Sequence, residues 1–221
     1  MTNEKNGTVL YEVDGSIARL MLNRPEKRNA LNRETVEALK EGLRRADAEG
    51  QVRSIILTGN GPDFCAGADL AALQQVATST VRDNLADARA LLELFLLIRN
   101  VAVPVIAAVK GRALAGGCGL ALACDVVLAA RSARFGFPEV RIGFVPAMVM
   151  AIVRRNVSEK RAFELLTTAN EISAEEAHRL GFINSVFDEG AFDSDCADSQ
   201  PVAPYGVVAP RRAERQIHIR R

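Results

Sequence analysis

Two short loops bring small residues and backbone amides together: FCAGADL, residues 64–70, and ALAGGCG, residues 113–119. Each follows an apolar, strand-like run, SIILTG and VIAAV. Glycines here have two readings. They let a helix and a strand approach closely, or they bare N–H groups at a helix N-terminus as a site for an anion or oxyanion. Loops of like composition after neighbouring strands would share one pocket.

Other chemistries find little support. GNGPDF supplies two glycines of a dinucleotide fingerprint but has Phe64 in the third place, and no helix pattern opens there. There is no phosphate-loop motif and no G-x-S-x-G elbow. The two histidines, His178 and His218, fall on a capped amphipathic helix and in an irregular tail, so neither a metal cluster nor a Ser-His pair is expected. Acid and base work falls to carboxylates.

The elements that must hold these loops read as an alternation. TVLYEV and IARLMLN flank Asp14-Gly15 as a hairpin. Asn32 caps a helix whose Val36, Leu39, Leu43 and Ala46 share a face. After SIILTG and the first loop, Val81, Leu85, Ala88, Leu92 and Phe95 recur at helical spacing and mark a second helix with that face inward. VIAAV, a short helix and DVVLAA follow, and such alternation implies parallel crossovers. Pro146 suits a first helical turn before AMVMAIVRR, and Ser158 is placed to cap EKRAFELLTT. Ser173 with Glu176 forms a capping box, Gly181 ends that helix, and FINSVF reads as a strand. Residues 1–190 make one core; residues 191–221, rich in Arg and Pro, lack periodicity and are expected to be disordered.

With 221 residues and 48% apolar content the chain can bury a large core. Twenty-eight basic against 27 acidic residues, net +1, leave no electrostatic footprint for nucleic acid or a membrane surface. Cys65, Cys118, Cys124 and Cys196 match no zinc spacing and read mainly as buried thiols. A polar N-terminus and the lack of a long apolar run lead to an expectation of a soluble, cytoplasmic protein.

Five stretches in order, LNRPEKRNALN, SIILTGNGPDFCAGADL, VIAAVKGRALAGGCGLALACDVVLAA, ARFGFPEVRIGFVPA and AHRLGFINSVF, resemble the crotonase superfamily, the enoyl-CoA hydratases and isomerases, over residues 8 to about 190. The resemblance implies an α/β spiral of βαβ turns with an atypical, shortened C-terminal region. It implies an acyl-CoA thioester as substrate, no cofactor beyond the coenzyme A that the substrate carries, no metal, and a homotrimer or dimer of trimers, weakened by the altered terminus. Ala68 and Gly116 match the two backbone donors to the thioester oxygen. Arg28, Ala30, Ala66, Gly67, Asp69, Leu70 and Gly117 match positions around the coenzyme A and thioester.

Glu139, in the F-G-x-P-E segment, matches one acid/base carboxylate, and Gly119 stands where two-carboxylate hydratases carry the other. Elimination also leaves Glu139 as the acid/base group, because Gly119 has no side chain and Asp69 is read as fastening its loop. Three functions follow: hydration of a 2-enoyl-CoA through an oxyanion-stabilised enolate, Δ3,Δ2-enoyl-CoA isomerisation by one glutamate, or binding of CoA esters without catalysis.

Overall fold

A computed structural model describes residues 7–69, 79–190 and 192. The chain begins with a hairpin, β1 (Val9–Asp14) and β2 (Ile17–Leu22), antiparallel from Val9 opposite Leu22 to Asp14 opposite Ile17. Gly15 turns it at φ 56°, a left-handed backbone that glycine adopts without steric cost.

Helix α1 (Arg33–Ala48) then crosses to β3 (Ser54–Gly59), parallel to β2. The Asn32 side chain accepts from the Thr35 N–H at 2.8 Å, and Val36, Leu39, Leu43 and Ala46 are buried. A Cβ on Gly42 would overlap the Leu20 side chain, so glycine is what lets α1 lie close on β2.

The second crossover is α2 (Val81–Asn100), leading to β4 (Val105–Val109). Its face differs from the expected stripe. Ala90, Leu94, Phe95 and Ile98 are buried, whereas Val81 is 85% exposed and Leu85 and Leu92 are nearly half exposed. Helical period alone does not choose a face where apolar residues such as Leu91, Leu92, Leu94, Phe95, Leu96 and Leu97 surround the axis; packing against α1 and the later helices does.

From β4 the chain contributes to two sheets. A short strand, β5 (Arg112–Leu114), precedes α3 (Gly116–Ala123) and β6 (Val126–Ala130), and β7 (Arg134–Gly136) pairs with β5. Next come α4 (Ala147–Asn156), α5 (Glu159–Thr168), β8 (Ile172–Ser173), α6 (Ala174–Arg179) and β9 (Ser185–Phe187). The large sheet runs β1-β2-β3-β4-β6-β9, the small one β5-β7-β8. Strands enter the large sheet in chain order and, after the hairpin, in parallel. A succession of such crossovers advances a βαβ spiral one strand at a time.

Strand β4 is buried along its whole length, as a parallel strand covered on both faces should be. Val105, Ala107 and Val109 join the main core under the helices, while Ile106 and Ala108 join Ile17, Ile56, Leu128 and Phe192 on the other side.

Several local expectations shift. Pro146 is the N-cap of α4, and Ser158 caps α5 without a side-chain hydrogen bond. The Ser173 hydroxyl accepts from the Glu176 N–H at 3.2 Å, but the Glu176 carboxylate turns to Arg179 rather than completing the box. Only the second half of FINSVF is strand; Phe182 and Ile183 are core residues around the α6 C-terminus, where Gly181 sits at φ 74°. Cys65, Cys118 and Cys124 are buried free thiols, and His178 is exposed. No helix among the described residues is long and apolar enough to cross a membrane. Cys196, His218 and the rest of the expected tail, Phe192 apart, lie outside the described residues.

Candidate active site

Residues 65–69 are hydrogen-bonded between two other segments of the chain. On one side the Cys65 N–H donates to the Arg112 carbonyl at 2.9 Å, and the Leu114 N–H donates to the Cys65 carbonyl at 2.9 Å. On the other side the Ala66 N–H donates to the Arg28 carbonyl at 3.0 Å, the Leu31 N–H to Gly67 at 2.7 Å, and the Asp69 N–H to Leu31 at 3.0 Å. The segment is thereby fixed between Arg28–Leu31 and β5, the strand that leads into α3.

Glycine is required at two points of this junction for different reasons. Gly67 has φ 97°, and a Cβ there would lie 2.7 Å from the Ala115 Cβ. A Cβ on Gly117 would overlap the Cys65 carbonyl oxygen. Gly116 is different: among the described residues its Cβ would meet nothing nearer than Leu31 Cδ1 at 3.8 Å, so packing against them does not demand it. Just before it, Ala115 holds φ 52° and ψ −126°, anchored by its N–H to the Gly136 carbonyl at 2.9 Å. Such a conformation in a residue with a Cβ costs about 1–3 kcal/mol. It sets the direction of the Gly116 amide at the α3 N-terminus.

Among the described residues, neither the Ala68 nor the Gly116 N–H has an acceptor. A Cβ on Gly67 would sit 3.6 Å from the Gly116 nitrogen. Three covalent bonds separate that point from the Ala68 nitrogen, so the two amide nitrogens lie within about 7 Å of each other. Two donors at that separation can reach a common oxygen between them.

Glu139 lies in a 3-10 turn, Pro138–Ile142, closed by Gly143 at φ 72° and by the Phe144 N–H to the Glu139 carbonyl at 3.0 Å. Pro138 fixes the entry. Phe137 is buried edge-on against Phe182, ring centroids 6.3 Å apart. The Glu139 Oε2 is buried with no hydrogen-bond partner among the described residues. Burial raises the Glu139 pKa above its usual value, opposed in part by the residue's own N–H. Its charge is near enough to α3 to add to the effect of burial on the Cys118 thiol. Burial likewise pushes the Cys65 thiol up to about 12, which keeps it a thiol rather than a nucleophile.

Gly119 is buried, and a Cβ there would lie 2.9 Å from Val149 Cγ2 and 3.3 Å from Phe95 Cζ. Apolar side chains from α4 and α2 thus close the space above it.

The residues matched to coenzyme A divide by role. Arg28 is exposed, at φ 51°, and its carbonyl takes the Ala66 amide. Ala30 and Asp69 are joined by Arg24, which donates to the Ala30 carbonyl and the Asp69 carboxylate, each at 2.7 Å. Asp69 therefore fastens its loop to a neighbouring one. Leu70 lies outside the described residues.

Arg24 and Asn29 went unnoticed in the sequence. Asn29 is 1% exposed at φ 54°; its amide donates to the Asn60 and Asp63 carbonyls at 2.9 and 2.7 Å, and its Oδ1 accepts from the Arg24 N–H at 2.9 Å. Asparagine tolerates that backbone better than most residues. An asparagine in a turn after Arg-Pro was the available signal.

The family model described as enoyl-CoA hydratase/isomerase matches residues 12–197. A Thermus thermophilus protein, named provisionally as an enoyl-CoA hydratase, is 43% identical over 176 residues, 80% of this chain and 70% of its own. The crotonyl-CoA hydratase of Syntrophomonas wolfei is 39% identical over 180 residues, 80% of this chain and 68% of its own. The crystal structure of an enoyl-CoA hydratase from Mycobacterium smegmatis superposes with a TM-score of 0.84 at 32% identity, covering 89% of this chain and 76% of that one.

Proposed function

Since the chain belongs to the enoyl-CoA hydratase/isomerase family, we propose that it hydrates a 2-enoyl-CoA, with Ala68 and Gly116 holding the thioester oxygen and Glu139 moving the proton. One observation carries this reading: among the described residues, a buried carboxylate oxygen has no partner and two neighbouring backbone amides have no acceptors. Buried polar atoms are seldom left unpaired unless the site uses them.

The chemistry balances within that set. Ionised Glu139 accepts a proton from water as the oxygen bonds to C3 and the C2–C3 π electrons move toward the thioester. The Ala68 and Gly116 amides stabilise the resulting enolate oxygen, each worth about 3 kcal/mol of barrier, with support from the α3 dipole. The Glu139 carboxylic acid then gives the proton to C2, so the net change is addition of H and OH across the double bond. Arg28, Ala30, Ala66, Gly67, Asp69, Leu70 and Gly117 frame the coenzyme A and thioester in this reading. Coenzyme A enters with the substrate, and no other cofactor or metal takes part.

Gly119 favours a second reaction at the same site. With Val149 and Phe95 where another carboxylate would stand, a single base can remove a C2 proton from a 3-enoyl-CoA and return it at C4, which is isomerisation. We assign the protein to fatty acyl-CoA metabolism in the cytoplasm, as a trimer. Exposed Ile142, Phe144, Val145 and Phe163 supply apolar surface for such association.

The test follows the conjugated absorbance of crotonyl-CoA and, separately, of a 3-enoyl-CoA. Loss of absorbance in the first shows hydration; a gain in the second shows isomerisation. Binding of both esters with turnover of neither would refute the reading.

A further inference from the structure

An open trough of about 580 Å³ lies between α1 and α2, and its lining includes none of Ala68, Gly116 or Glu139. That volume is within the range of small-molecule sites. The two helices run parallel beside it: Arg33 pairs with Asp87 at 3.2 Å near the start of α1, and Lys40 with Glu93 at 3.1 Å further along. Their N-caps, Asn32 and Thr80, therefore lie at the same end, and both helix dipoles place their positive poles there.

The charges in the trough are unequally satisfied. Glu37 and Glu93 both engage Lys40, at 2.7 and 3.1 Å, and the Lys40 side chain is only 4% exposed. Arg33 has Asp87. Arg82 and Arg89, both in the lining, have no partner among the described residues. They stand seven residues apart on one helical stripe, about 10 Å along the axis. Between and beside them lie Val81, Leu85, Ala86 and Ala90, small or apolar residues of which Val81 is 85% exposed.

We propose that this trough binds an amphipathic anion of the medium-chain carboxylate class, its head on Arg82 or Arg89 and its alkyl chain along Val81, Leu85, Ala86 and Ala90. Positions 82 and 89 are separated along the helix by small or apolar residues that also line the trough. One charge and one apolar chain fit the arrangement. The site is separate from Glu139 and stands or falls independently of the proposed reaction.

Calorimetric titration with octanoate tests it, with acetate and 1-octanol as probes of each half of the ligand. Octanoate should bind at least about tenfold more tightly than either. The Arg82→Gln/Arg89→Gln double variant should weaken octanoate at least about tenfold while leaving 1-octanol unaffected, and Ala86→Phe should block octanoate by filling the trough. Glu139→Gln should leave octanoate affinity unchanged. Octanoate binding that survives Ala86→Phe or the double arginine variant would overturn the proposal, as would failure of octanoate to bind.

Discussion

Asp69 and Glu139 are both withdrawn from solvent beside the same group of loops, yet their environments are opposite. Asp69 meets Arg24 at 2.7 Å, and that arginine also holds the Ala30 carbonyl at 2.7 Å. Glu139 has a buried oxygen with no partner among the described residues, on a turn held by Pro138 and buried Phe137. The first carboxylate ties one loop to another. The second gives up the stability of a hydrogen bond, about 1–3 kcal/mol for a buried unsatisfied group, and retains an oxygen able to accept a proton. Burial alone does not distinguish the two carboxylates; the partner that one of them lacks among the described residues does.

The contrast can be broken most severely at the junction beneath both loops. Gly117→Ala would drive a methyl group into the Cys65 carbonyl, so turnover and thermal stability should fall together, turnover by more than about 100-fold. A fully active, equally stable variant would show that the close approach is unnecessary. Arg24→Ala isolates the scaffold carboxylate. Removing one partner of a largely buried pair should cost about 3 kcal/mol in urea unfolding, and a cost near zero would make the Asp69 clamp unimportant.

Gly119→Glu probes the absent second carboxylate. Its Cβ meets Val149 first, so the single change should lose stability by about 1–3 kcal/mol. Adding Val149→Ala should restore part of that loss and raise hydration of crotonyl-CoA relative to isomerisation of a 3-enoyl-CoA. An unchanged ratio in the double variant would mean that a second carboxylate does not limit water addition.

The smallest effect concerns pH. The folded protein holds the Glu139 proton more tightly than the unfolded chain does, because burial raises its pKa above the ordinary glutamate value. The stability this adds is fully present below the unfolded value and is lost as pH rises through the folded one. Glu139→Gln cannot ionise, so its stability relative to the wild type should climb from pH 4 to pH 8. A difference in unfolding free energy that stays flat with pH would contradict a raised pKa.

Local features were legible in the sequence because their causes are local. The Asp14-Gly15 turn lies between two alternating runs, and Asn32 precedes a helical stripe, Val36, Leu39, Leu43 and Ala46, every member of which is buried in α1. The face of α2 was not legible, since Leu91, Leu92, Leu94, Phe95, Leu96 and Leu97 satisfy more than one helical stripe and tertiary packing decides among them. Arg24 and Asp69 are 45 residues apart, and nothing in either neighbourhood announces their pairing. Ala115 at φ 52° was hidden for another reason: alanine is a residue from which left-handed backbone is not expected. Gly119 was readable as a missing carboxylate, but the wall of Val149 and Phe95 over it arises only in three dimensions.

The most direct test of the account is turnover of crotonyl-CoA by Glu139→Gln beside Asp69→Asn, with CoA-ester binding and thermal stability measured on the same preparations. Glu139→Gln should lose at least about 100-fold in kcat, the loss expected when a general acid/base is removed, and keep its fold and ester affinity. Asp69→Asn should lose stability first and, below its melting temperature, retain most of its kcat. Near-normal turnover by Glu139→Gln would contradict the assignment of the unpartnered carboxylate as the group that moves the proton.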